Sequence, residues 1–260
     1  MITIAIARFI FFRLTHGTNP DRVVKFSVLP PGSTHFAAFD TAVISPDARS
    51  IAVTATDDSG ESQLWERPLA AVEPHRLDRT EGAQFPFWSP DSRTIAFFAN
   101  GKLQRIEAAG GAPNTICDAA SGRGGSWNRA GTILFAPSPE SALFQVPATG
   151  GRANPVTNLN KSTSELSHRW PSFLPDDRHF VYSIHKSQPE KSGVYAGVLD
   201  SKLSTLLLRG ESNATYVNKQ GTGYLVFTRG NNLLTQPLDS QKLILSGEPQ
   251  PIAQYVAHSQ

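Results

Sequence analysis

Gln84-Phe85-Pro86-Phe87-Trp88-Ser89-Pro90-Asp91-Ser92-Arg93-Thr94-Ile95-Ala96-Phe97-Phe98-Ala99-Asn100-Gly101 is the stretch that decides the fold. A short apolar run ends at Trp88. Ser89-Pro90-Asp91-Ser92 reads as a turn: proline presets φ at its second position, and the aspartate side chain accepts from nearby backbone amides. Ile95 to Ala99 is rich in aromatic and β-branched residues and reads as a strand. Asn100-Gly101 is a strong signal for a two-residue hairpin. Leu103 to Ala108 then forms a third strand, Gly110-Gly111 turns the chain, and Asn114 to Asp118 forms a fourth. Four short antiparallel strands in about forty residues make one self-contained unit.

The same order recurs along the chain. Ile44-Ser45-Pro46-Asp47 precedes Ile51-Ala52-Val53, Trp127-Asn128-Arg129-Ala130-Gly131 precedes Ile133-Leu134-Phe135, and Phe173-Leu174-Pro175-Asp176 precedes Phe180-Val181-Tyr182. A fifth, weaker copy runs from Val217 to Gly223, before Tyr224-Leu225-Val226-Phe227. With Ile44, Trp88, Trp127, Phe173 and Val217 as anchors, the spacings are 44, 39, 46 and 44 residues. A strand-built repeat of this length predicts propeller blades. The blades fall at residues 36–82, 83–122, 123–165, 166–211 and 212–253. A strand over 23–29 precedes the first and is placed to join the last blade. The fold class is all-β: a β-propeller of four-stranded antiparallel blades, five of them visible.

Composition agrees with one domain over 23–260. Of 260 residues, 39% are hydrophobic and 18% charged, enough apolar side chains for a core and too few charges for a disordered chain. The net charge of +2 is scattered, which argues against a nucleic-acid surface. Cys117 is the only cysteine, so no intrachain disulfide forms; its setting in a strand predicts a buried, unreactive thiol. Residues 1–22 hold an apolar run, Ile2 to Phe12, broken by Thr3 and Arg8. Eleven residues are too short to span a bilayer as a helix, which takes about twenty. The run reads equally as a partly buried strand or as the outer end of a membrane helix.

The repeats have a familiar wording. Ser45-Pro46-Asp47 and Ser89-Pro90-Asp91, each followed by an Ile-Ala run, resemble the WD40-like (PD40) repeats of TolB-type propellers. Lys25 to Gly32, Phe85 to Ser92, Arg123 to Asn128 and His168 to Pro171 resemble, in the same order, the propeller region of acidobacterial serine/threonine protein kinases. The resemblance covers residue 23 to the C-terminus. It implies a sensor or binding domain outside the cytoplasm, and a ring of six blades of which five are present. No kinase motif accompanies it: a Gly-rich loop with its strand lysine, a His-Arg-Asp loop and an Asp-Phe-Gly are all missing from the sequence. A detached fragment would instead be cytoplasmic.

In a propeller the first strand of each blade lines the central channel. Four residues before the anchors stand Asp40, Gln84, Arg123, Arg169 and Asn213, all polar. This column predicts a ligand site at the channel mouth, with Arg123 and Arg169 gripping a carboxylate, a phosphate or an acidic chain in two-pronged hydrogen bonds. Phe85 and Trp170 supply an apolar wall, and His168 sits beside it. Polar residues at strand starts are also ordinary on a solvated surface. Asp47, Asp91 and Asp176 read as turn fasteners. A lone histidine is not a metal site, and no spacing gathers the ligands of zinc; no cofactor is expected. The expected activity is non-catalytic binding of a protein or a small anionic ligand, with self-association through open sheet edges. The alternative is a propeller enzyme, a metal-assisted lactonase or a peptidase-associated propeller, for which Asp40 and Asn213 are the candidate metal residues.

Overall fold

The computed structural model describes residues 28–37, 41–210 and 212–254. The apolar segment at 1–22, most of the strand expected at 23–29, and Asp40 lie outside the described residues. Val28 and Leu29, the described end of that strand, are not in a sheet.

Five antiparallel sheets follow one another in chain order. The first blade is β1 (Ala42–Ile44), β2 (Ser50–Thr56), β3 (Ser62–Pro68) and β4 (His75–Arg76). The second is β5 (Gln84–Trp88), β6 (Thr94–Ala99), β7 (Lys102–Glu107) and β8 (Asn114–Asp118). The third is β9 (Gly125–Trp127), β10 (Thr132–Phe135), β11 (Phe144–Pro147) and β12 (Asn154–Pro155). The fourth is β13 (Glu165–Phe173), β14 (His179–Lys186), β15 (Gly193–Val198) and β16 (Ser204–Arg209). The fifth is β17 (Ala214–Lys219), β18 (Thr222–Arg229) and β19 (Asn232–Asp239), whose outer edge takes both β20 (Ile244–Leu245) and β21 (Gln250–Gln254). Each blade is a meander, so each hairpin forms from neighbouring sequence.

Apolar side chains on both faces of the middle strands glue blade to blade. Ala52, Leu64 and Leu77 of the first blade meet Trp88, Ile95, Phe97 and Ile106 of the second. Phe87, Phe98, Leu103 and Ile116 meet Ile133, Phe135 and Val146 of the third. Leu134, Leu143 and Val156 pack on Phe180, Tyr182 and Ile184, and Leu174, Val181 and Val194 pack on Leu225, Phe227 and Leu238. Four clusters thus join five blades. Among the described residues no such cluster joins the fifth blade to the first. The anchors show the difference: Trp88 is 7% exposed, whereas Ile44, at the start of the series, is 53% exposed.

The turns after the first four inner strands share a left-handed residue four past the anchor: Ala48 (φ 55°), Ser92 (61°), Gly131 (80°) and Asp177 (60°); in the fifth blade pairing runs on to Lys219↔Thr222 and the chain turns at Gln220 (52°) and Gly221 (85°). Asp47 Oδ1 accepts from Ser45 Oγ (2.6 Å) and the Arg49 amide (3.1 Å), and Asp91 repeats this with Ser89 (2.6 Å) and Arg93 (3.1 Å). Asp176 accepts from the amides of Arg178 (3.1 Å) and His179 (2.9 Å). In the third blade Asn128 Oδ1 does the same work for the Thr132 amide (2.8 Å). The three aspartates are turn fasteners, as their position after proline predicts.

Bonds between blades fix the fifth register. The Phe173 amide donates to Ser126 Oγ of the preceding blade (3.0 Å), and the Tyr216 amide donates to Ser172 Oγ (3.3 Å). Tyr216, not Val217, therefore stands where Phe173 stands, and each packs on the cluster shared with the preceding blade. The sequence register of the fifth copy is off by one residue. Because strand side chains alternate, that shift moves each fifth-blade residue to the other face.

Candidate functional site

The five inner strands β1, β5, β9, β13 and β17 surround a cavity of 840 Å³. With the corrected register, the residues three before the anchors are Thr41, Phe85, Gly124, Trp170 and Asn213, and all five line it. The residues four before become Asp40, Gln84, Arg123, Arg169 and Ser212; none of the described four lines it. The cavity continues past the anchors to the turn residues Pro46, Ala48 and Pro90 and to Asn218 near the end of β17, so it reaches the rim that carries the Ser-Pro-Asp turns. Between the fifth and first blades it widens, taking in Val226 and Leu233 from β18 and β19.

Its floor is built from irregular backbone. On β5 the ladder steps from Gln84↔Phe98 to Phe87↔Ala96, and on β13 from Arg169↔Ser183 to Ser172↔Val181. Each step holds one extra residue, a β-bulge. Pro86 and Pro171 lie in these bulges, where a missing amide breaks no ladder bond. Phe85 (φ 48°) and Trp170 (φ 54°) are left-handed, as is Gly124 (φ 83°) between them. A bulky side chain held there costs about 1–3 kcal/mol. The bulges bring Phe85 and Trp170 together edge to face, ring centroids 5.0 Å apart. Gly124 makes room for this pair: a Cβ there would stand 2.5 Å from Trp170 Cε3.

The expected site residues divide accordingly. Phe85, Trp170 and Asn213 share the cavity wall. Arg123 lies behind it, its guanidinium 5.6 Å from the Phe85 ring centre and donating to the Gly122 carbonyl (2.8 Å). Arg169 donates to Ser167 Oγ (2.8 Å) and, across the blade junction, to the Pro139 carbonyl (3.0 Å). Gln84 is half-buried on β5 opposite Phe98. His168 is 2% exposed, with Nδ1 at 2.7 Å from Thr157 Oγ1 and Nε2 at 3.2 Å from Glu165 Oε2. The Glu165 carboxylate can only accept, which puts the His168 proton on Nε2 and leaves Nδ1 to accept from the Thr157 hydroxyl, whose oxygen accepts from the Leu143 amide (2.9 Å). Burial holds the His168 imidazole below its usual range. The two arginines and His168 thus have intramolecular bonds across and within blades.

What remains on the wall is uncharged. Six aromatic residues (Phe85, Phe87, Trp88, Trp127, Trp170 and Tyr216) and the prolines Pro46, Pro86, Pro90 and Pro171 dominate it. The polar side chains on it are serine, threonine, asparagine and the Tyr216 hydroxyl. No Asp, Glu, Lys, Arg or His is among the described lining residues. Elsewhere, no group of three or more His, Cys, Asp and Glu among the described residues is placed to hold a metal. Cys117 is half-buried against the junction of blades two and three, its thiol pushed up to about 11 by burial and by Asp118.

Against solved structures, the chain superposes on TolB from Acinetobacter baumannii with a TM-score of 0.63 at 12% identity. The match covers 83% of this chain and 55% of that one. The fold is that of a TolB-like β-propeller. The chain spans about half the length of that TolB. A putative TolB from Agrobacterium tumefaciens gives 0.57 at 15% identity over 70% of each chain. Enzymes carry similar propellers: a puromycin hydrolase matches at 0.60 with 14% identity, over 90% of this chain and 41% of that one. No family model and no curated protein matches the sequence. Among the described residues no helix of this propeller is long and apolar enough to cross a membrane.

Phe85 and Trp170 were expected as an apolar wall; the bulges that bring them together were the part missed in the sequence. Phe-Pro and Trp-Pro inside inner strands, with Gly-Gly at the same position of the third blade, were their signal: proline in a paired strand demands a bulge.

Proposed function

We propose that this propeller is a non-catalytic binding module whose ligand enters the central cavity from the rim of Ser-Pro-Asp turns. The observation that carries the reading is the cavity itself: concave, largely apolar, and lined by corresponding residues of all five blades, as small-ligand and peptide sites are. The likeness of the repeats to the propellers of membrane serine/threonine kinases supports a sensor role outside the cytoplasm. The uncharged wall moves the expected ligand from an anion to a neutral group. A thermal-shift screen of neutral peptides and oligosaccharides tests this, with Thr215→Trp as the control. Thr215 is exposed and lines the cavity, so an indole there intrudes on it. Ligands that raise the melting temperature of the wild type and not of the variant support the reading. Equal shifts in both would place the ligand elsewhere and overturn it.

A catalytic reading rests on the enzyme propellers among the structural neighbours, one of them an oligogalacturonate lyase in complex with manganese. A rise in melting temperature with manganese, lost on replacing Asp40 and Asn213 with alanine, would favour it over the binding module.

A further inference from the structure

The cavity wall changes character from blade to blade. Blades two, three and four give it aromatic carbon. Trp127 and Trp170 are half-buried on it, with Phe85, Phe87 and Trp88 packed at 4%, 9% and 7% exposed. The Trp170 indole nitrogen is buried, so this ring presents carbon to the cavity. Blade five gives the wall polar side chains instead. Thr215 and Asn218 are exposed, Asn213 and Tyr216 are half-buried, and all four line the cavity. Thr215 Oγ1 lies 3.2 Å from Ser172 Oγ, and the Tyr216 hydroxyl accepts from Asn218 Nδ2 (3.4 Å). Amides and hydroxyls both donate and accept, so this side of the wall suits groups that do the same.

That lining disfavours three ligand classes. An ion would be buried without a counter-charge, because the described lining residues include no ionisable acid or base. A hydrocarbon would face the amides and hydroxyls of blade five, each left unpaired at a cost of about tenfold in affinity. An extended peptide binds by adding a strand to a free sheet edge. Here the inner edges of blades four and five are laced to their neighbours. The amides of Trp170, Phe173 and Tyr216 donate to the Arg123 carbonyl (3.1 Å), Ser126 Oγ (3.0 Å) and Ser172 Oγ (3.3 Å). A neutral sugar ring has both surfaces that the wall matches: C–H groups that stack on an aromatic face, and hydroxyls around its edge that donate and accept. We propose that the cavity binds a neutral oligosaccharide, one ring stacked on the indoles of blades three and four and its hydroxyls bonded by Asn213, Thr215, Tyr216 and Asn218 of blade five. The proposal rests on the cavity being the binding site.

The test is calorimetric titration of the full chain with maltohexaose, cellohexaose and chitohexaose, and with hexagalacturonate and a ten-residue Gly-Ser peptide as controls. At least one neutral saccharide is expected to bind saturably to the wild type and not to Thr215→Trp, and more tightly than either control. Thr215→Val keeps the shape and deletes the hydroxyl, and is expected to weaken that binding about three- to tenfold. Tyr216→Phe is expected to weaken it by a similar factor, and reads the same side of the wall if Thr215→Val fails to fold. Unchanged affinity in both variants overturns the proposal. Binding of hexagalacturonate or of the Gly-Ser peptide as tight as that of the best neutral saccharide, still lost in Thr215→Trp, overturns the ligand class and leaves the binding module standing. Binding of none of the three neutral saccharides also overturns the ligand class, and the wider screen then decides whether the module reading stands.

Discussion

Acid should loosen this propeller through its fourth blade, and His185 is the residue that reports it. His185 lies on β14 opposite Ser167, next to the Arg169 guanidinium and the His168 ring. Burial, then the positive charge of Arg169, then His168 push its pKa down to about 4 from 6.5. In the unfolded chain it returns to about 6.5. Between these values the unfolded state binds the extra proton. Stability is therefore fully present above pH 6.5 and is lost as pH falls towards 4. A shift of this size removes about 2 kcal/mol between neutral pH and pH 5; the side chain is only part-buried, and solvent screening reduces this to about 1–2 kcal/mol. The assay is urea unfolding of wild type and His185→Gln at pH 7.5 and pH 5.0, comparing the two drops. Glutamine cannot titrate, so the variant should lose about 1–2 kcal/mol less than the wild type. His168, also held low by burial, shifts both proteins in the same direction and largely cancels. Equal drops in the two proteins would refute the reasoning, because they would mean that His185 titrates alike folded and unfolded.

Gly124→Ala should cost about 2–4 kcal/mol: a left-handed φ of 83° is added to a Cβ 2.5 Å from Trp170, and the ring must leave the floor, which near-ultraviolet circular dichroism would register. Asp91→Ala should destabilise by about 1 kcal/mol in denaturant unfolding, since the Arg93 amide and the Ser89 hydroxyl lose their acceptor, and should leave ligand affinity unchanged. Ser172→Ala removes the acceptor of the Tyr216 amide between blades four and five; hydrogen exchange at Tyr216 should quicken while the first three blades keep their protection. The chain should self-associate at micromolar concentration through the seam where blade five meets blade one. Ile44→Ser, at an exposed anchor, should weaken that association in sedimentation velocity, and a concentration-independent monomer in the wild type would count against an open seam.

The architecture was legible because it is local. A blade is four consecutive strands, so Asn100-Gly101 and Ser-Pro-Asp mark its hairpins with signals a few residues long, and the period of the anchors then orders the blades. The fifth register was not legible, because its turn lacks proline and aspartate: the strand runs on to Lys219 and turns at Gln220-Gly221, a two-residue hairpin in place of the Ser-Pro-Asp turn. A one-residue slip there placed Asn213 in the polar column, when its counterparts in the structure are Phe85, Gly124 and Trp170. The polar column itself illustrates the other limit. Arg123 and Arg169 sit at corresponding positions of neighbouring blades, and sequence alone cannot tell whether such residues face a ligand or the protein. In the structure the carbonyls of residues 122 and 139 accept from them, and neither arginine lines the cavity. The bulge at Trp170 turns its amide out to the Arg123 carbonyl of the neighbouring blade (3.1 Å), a bond that a strand paired only within its own blade would lack. The other product of the bulges at Phe85 and Trp170 is the aromatic floor. Backbone held against its preference thus has a rationale inside the fold: it ties neighbouring blades together around the channel.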